Sequence, residues 1–106
     1  MSRILVIDDD AKSRKLACDY LTSKGMLTAE AEDGEAGLLS VIRRKPDLIL
    51  LDMRMPRLDG IGTMRRLKAN PETRDIPIIM LSASAMAEEQ EQMRVTGCNA
   101  ILTKPG

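Results

Sequence analysis

The chain has no histidine, no tryptophan and no phenylalanine, and Tyr20 is its only aromatic residue. Without histidine, imidazole acid/base chemistry and a phosphohistidine are both excluded from this chain. The formal charge is zero, with 16 basic and 16 acidic residues and no Lys/Arg block. That balance argues against a nucleic-acid footprint. The apolar runs are short. None approaches the roughly 20 residues a membrane-spanning helix needs, and none resembles the core of a secretory leader. Cys18 and Cys98 stand alone, without metal-type spacing, so they read as reduced, mostly buried thiols of a cytoplasmic protein. The eight methionines read as core filler rather than a ligand set.

At 106 residues the chain fits one domain with its own core. It is organised around Leu48-Ile49-Leu50-Leu51-Asp52 and the turn that follows, Met53 to Gly60 with Pro56 and the Asp59-Gly60 pair. Four apolar residues bounded by turn residues describe a strand buried on both faces, and Asp52 stands at its carboxyl end. Arg3 to Ile7 is a second such strand, ending in Asp8-Asp9-Asp10. Lys12 to Lys24 reads as a helix carrying Leu16, Ala17, Tyr20 and Leu21, stopped by Gly25. Met26 to Ala31 is a weaker strand. Glu35 to Lys45 reads as a helix with Ala36, Leu39 and Ile42 in its apolar stripe, and Leu58 to Ala69 as one with Leu58, Ile61, Met64 and Leu67 inward. Ile76 to Leu81 is a strand ending at Ser82. Ala85 to Thr96 is a weakly amphipathic helix with Glu88, Glu89 and Glu91 clustered, and Ala100 to Leu102 is a short strand before Thr103-Lys104-Pro105-Gly106.

Strict alternation of five strands and four helices predicts an α/β fold, a parallel sheet with helices on both faces. In the flavodoxin-like, doubly wound order 2-1-3-4-5 the strand ends bearing Asp8, Asp9, Asp52, Ser82 and Lys104 lie along one edge, on strands about 4.8 Å apart. Carboxylates gathered that closely repel unless a cation joins them, and oxygen-only ligands suit Mg2+ or Mn2+. Three carboxylate charges would meet a divalent ion and the Lys104 ammonium. A phosphoryl group on Asp52, carrying about −1.5 to −2, would then be drawn to Lys104 and the Ser82 hydroxyl. Asp10 reads as a turn or cap residue.

This pattern resembles the receiver domain of two-component response regulators over essentially the whole chain: the acidic pair after the first strand, Asp52 followed by Met55-Pro56 and Asp59-Gly60, Ser82-Ala83, and Lys104-Pro105. The resemblance implies that Asp52 accepts a phosphoryl group from a sensor histidine kinase, a histidine phosphotransfer protein or a small donor. It implies Asp9 as direct metal ligand, Asp8 as a ligand through water, and the Arg54 backbone carbonyl as the remaining protein ligand. Ser82 matches the switch hydroxyl, Lys104 the family's lysine, and the Lys104-Pro105 bond is typically cis there. Arg54 and Ser84 occupy positions that tune phosphoryl lifetime. The Arg54 side chain is expected to block the attacking water or pair with phosphoryl oxygens. The first helix with the strand-end loops is expected to meet the kinase, and the fourth helix with the fifth strand to carry output.

Two departures stand out. Ile101 occupies the place where the family carries Tyr or Phe. The family also continues into a fifth helix, so residues 1–106 are expected to form a receiver domain lacking its final helix, with one sheet face under-covered and open to a homodimer, a domain swap or another partner. The alternatives are a phosphate-independent docking or dimerising module, which Ile101 leaves open, and a metal-dependent phosphohydrolase with Asp52 as nucleophile. The second lacks a cap to hold an organic substrate, and Asp10 would be its only acid. Neither membrane insertion nor direct nucleic-acid binding is expected.

Overall fold

The computed structural model describes residues 2–55, 57–83 and 86–104. The elements alternate as β1 (Arg3–Ile7), α1 (Ala11–Ser23), β2 (Leu27–Ala31), α2 (Gly34–Arg43), β3 (Leu48–Asp52), α3 (Gly60–Ala69), β4 (Ile78–Ser82), α4 (Ala87–Thr96) and β5 (Ala100–Thr103). All strand pairs are parallel, in the order β2-β1-β3-β4-β5. The flavodoxin-like order expected for this chain is therefore the order observed. No helix among the described residues is long and apolar enough to cross a membrane.

The central strands are apolar on both faces because both faces are covered. Leu5, Ile7, Ile49, Leu51, Ile78 and Met80 bury one face against Val41 of α2, Ile61, Met64 and Leu67 of α3, and Met93 of α4. Ile4, Val6 and Leu50 bury the other face against Cys18 of α1, with Ala17 and Leu21 alongside. Among the described residues three helices thus share one face and α1 stands alone on the other. Beside α1, Leu16 (71% exposed), Tyr20 and Leu102 remain open. Leu16, Leu81, Leu102 and Lys104 line a groove of about 420 Å³ there. The under-covered face expected from the sequence is this one.

Carboxylates begin three of the helices. Asp10 accepts the Lys12 amide at 2.9 Å, Asp33 the Ala36 amide at 2.7 Å and Asp59 the Gly62 amide at 2.8 Å. Each satisfies an amide the helix itself cannot pair. Asp10 is thus the cap residue its position suggested. At α4 no side-chain capping hydrogen bond is found among the described residues.

Several boundaries and faces differ from the sequence reading. α3 begins at Gly60, because Asp59 is its cap, and β4 begins at Ile78. Ala85, read as the start of α4, lies outside the described residues. The larger correction concerns α2. Leu39 (57% exposed) and Ile42 (73% exposed) face outward, and the buried positions are Gly34, Gly37 and Val41. The reason is closeness of approach. A Cβ on Gly37 would strike the Ile7 side chain, and one on Gly34 would strike Thr63 and the Leu58 carbonyl. The glycine face lies against the sheet and α3, and the bulky side chains turn to solvent. Leu16 and Tyr20 of α1 are exposed for a different reason: the sheet beside them carries no second helix among the described residues.

Candidate functional site

β1 and β3 are adjacent and in register, with Ile7 beside Leu51. Asp8 and Asp52 therefore leave neighbouring strand ends on the same edge of the sheet. Asp8 is fully buried and Asp52 is 6% exposed; Asp9 is exposed. One ligand oxygen from each of Asp8, Asp9 and Asp52 lies within 4.8 Å of the others.

β5 brings the balancing charge. Its pairing with β4 sets Ser82 beside Thr103, and the Lys104 amide donates to the Ser82 carbonyl at 2.7 Å. From there the Lys104 ammonium donates to Asp8 Oδ2 at 3.0 Å and lies 3.3 Å from Asp52 Oδ1. Asp8 Oδ1 accepts the Asp10 amide at 2.9 Å. Arg14 of α1 fixes the same strand end, donating to the Asp8 carbonyl at 2.7 Å and to Glu30 at 3.0 Å. Ser82 is buried at the end of β4.

Burial, then the negative charge of Asp8, push the Asp52 carboxyl up to about 6, against the opposing pull of Lys104. Burial works against the Lys104 ammonium, but its hydrogen bond to Asp8 and the charges of Asp52 and Asp8 outweigh it, so its pKa is raised. One cation shared by two buried carboxylates leaves a net negative pocket. The donor set fits a hard divalent cation: three carboxylates within reach of one ion, no histidine in the chain and no thiol in the cluster. A raised carboxyl pKa is what such a cluster shows before a cation joins it.

The sheet thus brings together Asp8, Asp9, Asp52 and Lys104 as the sequence suggested. Arg54 has a side-chain partner that the sequence did not point to. Its side chain is 73% exposed, and its guanidinium donates to Glu89 of α4 at 2.8 Å. Arg54 and Glu89 line a cleft of about 530 Å³ with Asp9, Met53, Met55 and Asp59. Ile101 pairs in register with Met80 and packs, half-buried, against the larger core. The Ser84 position and the Lys104–Pro105 peptide bond lie outside the described residues.

Sequence reasoning missed Arg14 and Glu89. Glu89 had one signal, its place in an acidic cluster at a helix start, but nothing local pointed it at Arg54. Arg14 had none. Arg57 was equally silent. Its φ of 64° makes it the sole positive-φ residue other than glycine among the described residues, at a cost of about 1 kcal/mol.

Comparison with known proteins agrees with this geometry. Residues 4–106 match the response regulator receiver domain. The chain is 39% identical over 103 residues to the phosphate regulon transcriptional regulatory protein PhoB of Escherichia coli, covering 97% of this chain and 45% of that protein. It therefore spans less than half the length of that regulator. It is 32% identical over 102 residues to the polar-differentiation response regulator DivK of Brucella anthropi, covering 96% of this chain and 83% of that one. Among solved structures, the receiver domain of a sensor histidine kinase from Pseudomonas aeruginosa superposes with a TM-score of 0.90 at 32% identity. The match covers 99% of this chain and 86% of that one, and that structure has a magnesium ion coordinated in its active site cleft. On the sheet order, the strand-end carboxylates and the match over nearly its whole length, this chain belongs to the receiver domain family of two-component response regulators.

Proposed function

We propose that this chain is a phosphoacceptor switch in which Asp52 takes a phosphoryl group from a sensor histidine kinase, a histidine phosphotransfer protein or a small phosphodonor. The observation that carries the reading is the placement of Asp52: buried at a strand end, 3.3 Å from the Lys104 ammonium, beside the Asp8-Asp9 pair. A carboxylate oxygen of Asp52 attacks phosphorus in line. The new O–P bond forms as the bond from phosphorus to the donor nitrogen or oxygen breaks, and the donor leaves with that electron pair. Lys104 is positioned to meet the charge that gathers on the phosphoryl oxygens, and Ser82 is the hydroxyl assigned to hydrogen-bond them afterwards.

Mg2+, or Mn2+ with the same preference for oxygen, would be held by Asp9, Asp52 and the Arg54 carbonyl, with Asp8 acting through water. The hydrogen bonds support that division. Both Asp8 oxygens already have partners, Lys104 and the Asp10 amide, whereas Asp9 faces solvent. When bound, the ion supplies positive charge that offsets the carboxylates and the incoming phosphoryl group. The protein is read as cytoplasmic, its output a shift between two conformers rather than turnover of a substrate.

The test is intact mass after incubation with acetyl phosphate and Mg2+. Wild type is expected to gain one phosphoryl group, and Asp52→Asn or omission of the metal to abolish the gain. A folded wild type that gains nothing would overturn the reading in favour of a phosphate-independent docking module, the alternative that Ile101 suggests. A second expectation concerns lifetime. Arg54→Ala is expected to speed loss of the phosphoryl group about tenfold, the rate equivalent of one charge-assisted hydrogen bond. An unchanged decay of the phosphorylated mass would remove Arg54 from that role.

A further inference from the structure

Arg54 and Glu89 sit 35 residues apart in sequence yet close one cleft between them, on the side of the acidic cluster marked by Asp9. An exposed Arg–Glu pair usually contributes little. Two features set this one apart. Glu89 is mostly enclosed (23% exposed), while Arg54 is mostly open (73%). The second Glu89 oxygen, Oε2, is buried with no hydrogen-bond partner among the described residues. A carboxylate that has lost water from one oxygen and holds a single partner through the other is poorly satisfied. Among the described residues its one hydrogen-bond partner is Arg54, a long and mostly exposed side chain.

Resting on the reading of Asp52 as phosphoacceptor, we propose that Glu89 is a positioning residue: it holds the Arg54 guanidinium at the cleft mouth and yields it to the phosphoryl group, so that phosphorylation of Asp52 unpins the first turn of α4. Arg54 lies two residues after Asp52 and borders the same cleft as Asp9, so its side chain serves either anion. The phosphoryl group carries about −1.5 to −2 charge on three acceptor oxygens and matches the guanidinium fork. Glu89 offers one negative charge and, as placed, one oxygen. The exchange also returns the enclosed Glu89 oxygen to water.

α4 is built to respond. Met93 is its only buried side chain, and among the described residues no side-chain hydrogen bond caps its N-terminus. Its first turn closes through the Gln90 amide on the Met86 carbonyl at 3.1 Å. A helix with so little buried surface opens locally before the rest of the domain does. The Arg54–Glu89 pair ties that turn to the loop after β3, so losing the pair loosens the helix from its N-terminal end. This coupling does not need an aromatic residue at position 101.

The experiment is residue-resolved amide exchange in Mg2+, with and without acetyl phosphate, with intact mass measured on each sample. In wild type the Gln90 and Glu91 amides are expected to exchange about tenfold faster once phosphorylated, while Gly97 at the far end of α4 stays unchanged. Glu89→Gln and Arg54→Gln are both expected to exchange fast at Gln90 without the donor and to gain little on phosphorylation. Two variants that break the same pair from opposite sides separate its loss from damage to either residue alone. A wild type that gains mass with unchanged Gln90 exchange overturns the latch and leaves the phosphoacceptor reading standing. Slow Gln90 exchange in both variants overturns the latch too. No mass gain in folded wild type overturns both.

Discussion

Asp52→Asn is expected to lose all phosphoryl uptake and at the same time to make the metal-free protein more stable at pH 7, by about 2 kcal/mol. The stability gain follows from the cluster's unbalanced charge. A carboxyl raised from 3.8 to about 6 on folding costs the native state about 3 kcal/mol once it is ionised in both states. Asparagine removes that charge from beside Asp8. It keeps an oxygen for Lys104 but gives up part of the Coulombic attraction, which is why the expected gain is smaller. For a domain of this size the gain corresponds to a rise in melting temperature of about 10 °C.

The pH dependence makes the prediction specific. With the folded-state value above the unfolded one, the native state binds a proton more tightly than the unfolded chain. The contribution of Asp52 to wild-type stability therefore rises as pH falls through about 6, and is complete near 4. The advantage of Asp52→Asn should be full at pH 7.5, shrink through pH 6 and vanish near pH 4. Urea unfolding of both proteins in EDTA at those values checks it. A difference that is constant with pH would mean that the variant acts through packing instead. Magnesium should erase the advantage from the other side, because it stabilises wild type in proportion to RT ln(1 + [Mg2+]/Kd) and finds one carboxylate fewer in the variant.

Gly60→Ala is expected to destabilise the domain by about 3 kcal/mol or more and to slow phosphorylation of whatever remains folded. Gly60 opens α3, and its amide donates to the Met53 carbonyl at 2.9 Å. An added Cβ would strike the Asp52 carbonyl oxygen and lie 2.7 Å from the Met53 Cα and 2.9 Å from the Met80 Cε. The methionine tip can move. The two backbone atoms belong to a strand end buried among its neighbours, so either α3 lifts or the Asp52 carboxylate shifts. Overpacking against atoms that cannot relax costs about 1–3 kcal/mol and sometimes more, out of a total of about 5–15 kcal/mol for a domain. Gly25→Ala is the control. Gly25 has a φ of 84° and nothing within 4 Å of an added Cβ, so only backbone strain applies, about 1 kcal/mol. Urea midpoints for the two variants, with acetyl phosphate uptake measured alongside, separate the mechanisms. Equal losses would mean that the close approach at Gly60 relaxes freely.

Much of the architecture was legible because it follows from local pattern. Apolar runs such as Leu48 to Leu51, bounded by turn residues, have few ways to be buried other than as central parallel strands. Alternation with amphipathic segments then forces helices onto the faces. Once the strands are parallel, every carboxyl end lies on one edge, and in the order β2-β1-β3-β4-β5 that edge gathers Asp8, Asp9, Asp52 and Lys104. The sequence by itself determined the fold class and the chemical character of the strand ends; the sheet order came with the resemblance, and the structure has that same order.

What it left open depends on how elements sit against one another. The stripe read on α2 as Ala36, Leu39 and Ile42 is a valid helical stripe. Only the close approach of Gly37 to Ile7 turns the helix so that Leu39 and Ile42 face solvent. Which carboxylate holds Lys104 more closely, Asp8 at 3.0 Å or Asp52 at 3.3 Å, is set by the path of β5. The depth of Asp52, which raises its carboxyl to about 6, is a property of packing rather than of neighbours in the chain. The pairing of Arg54 with Glu89 needs α4 brought over the loop after β3. Periodicity reports which residues share a face. The rotation and distance between packed elements are fixed by side-chain volumes from distant parts of the chain, and the tertiary structure alone decides them.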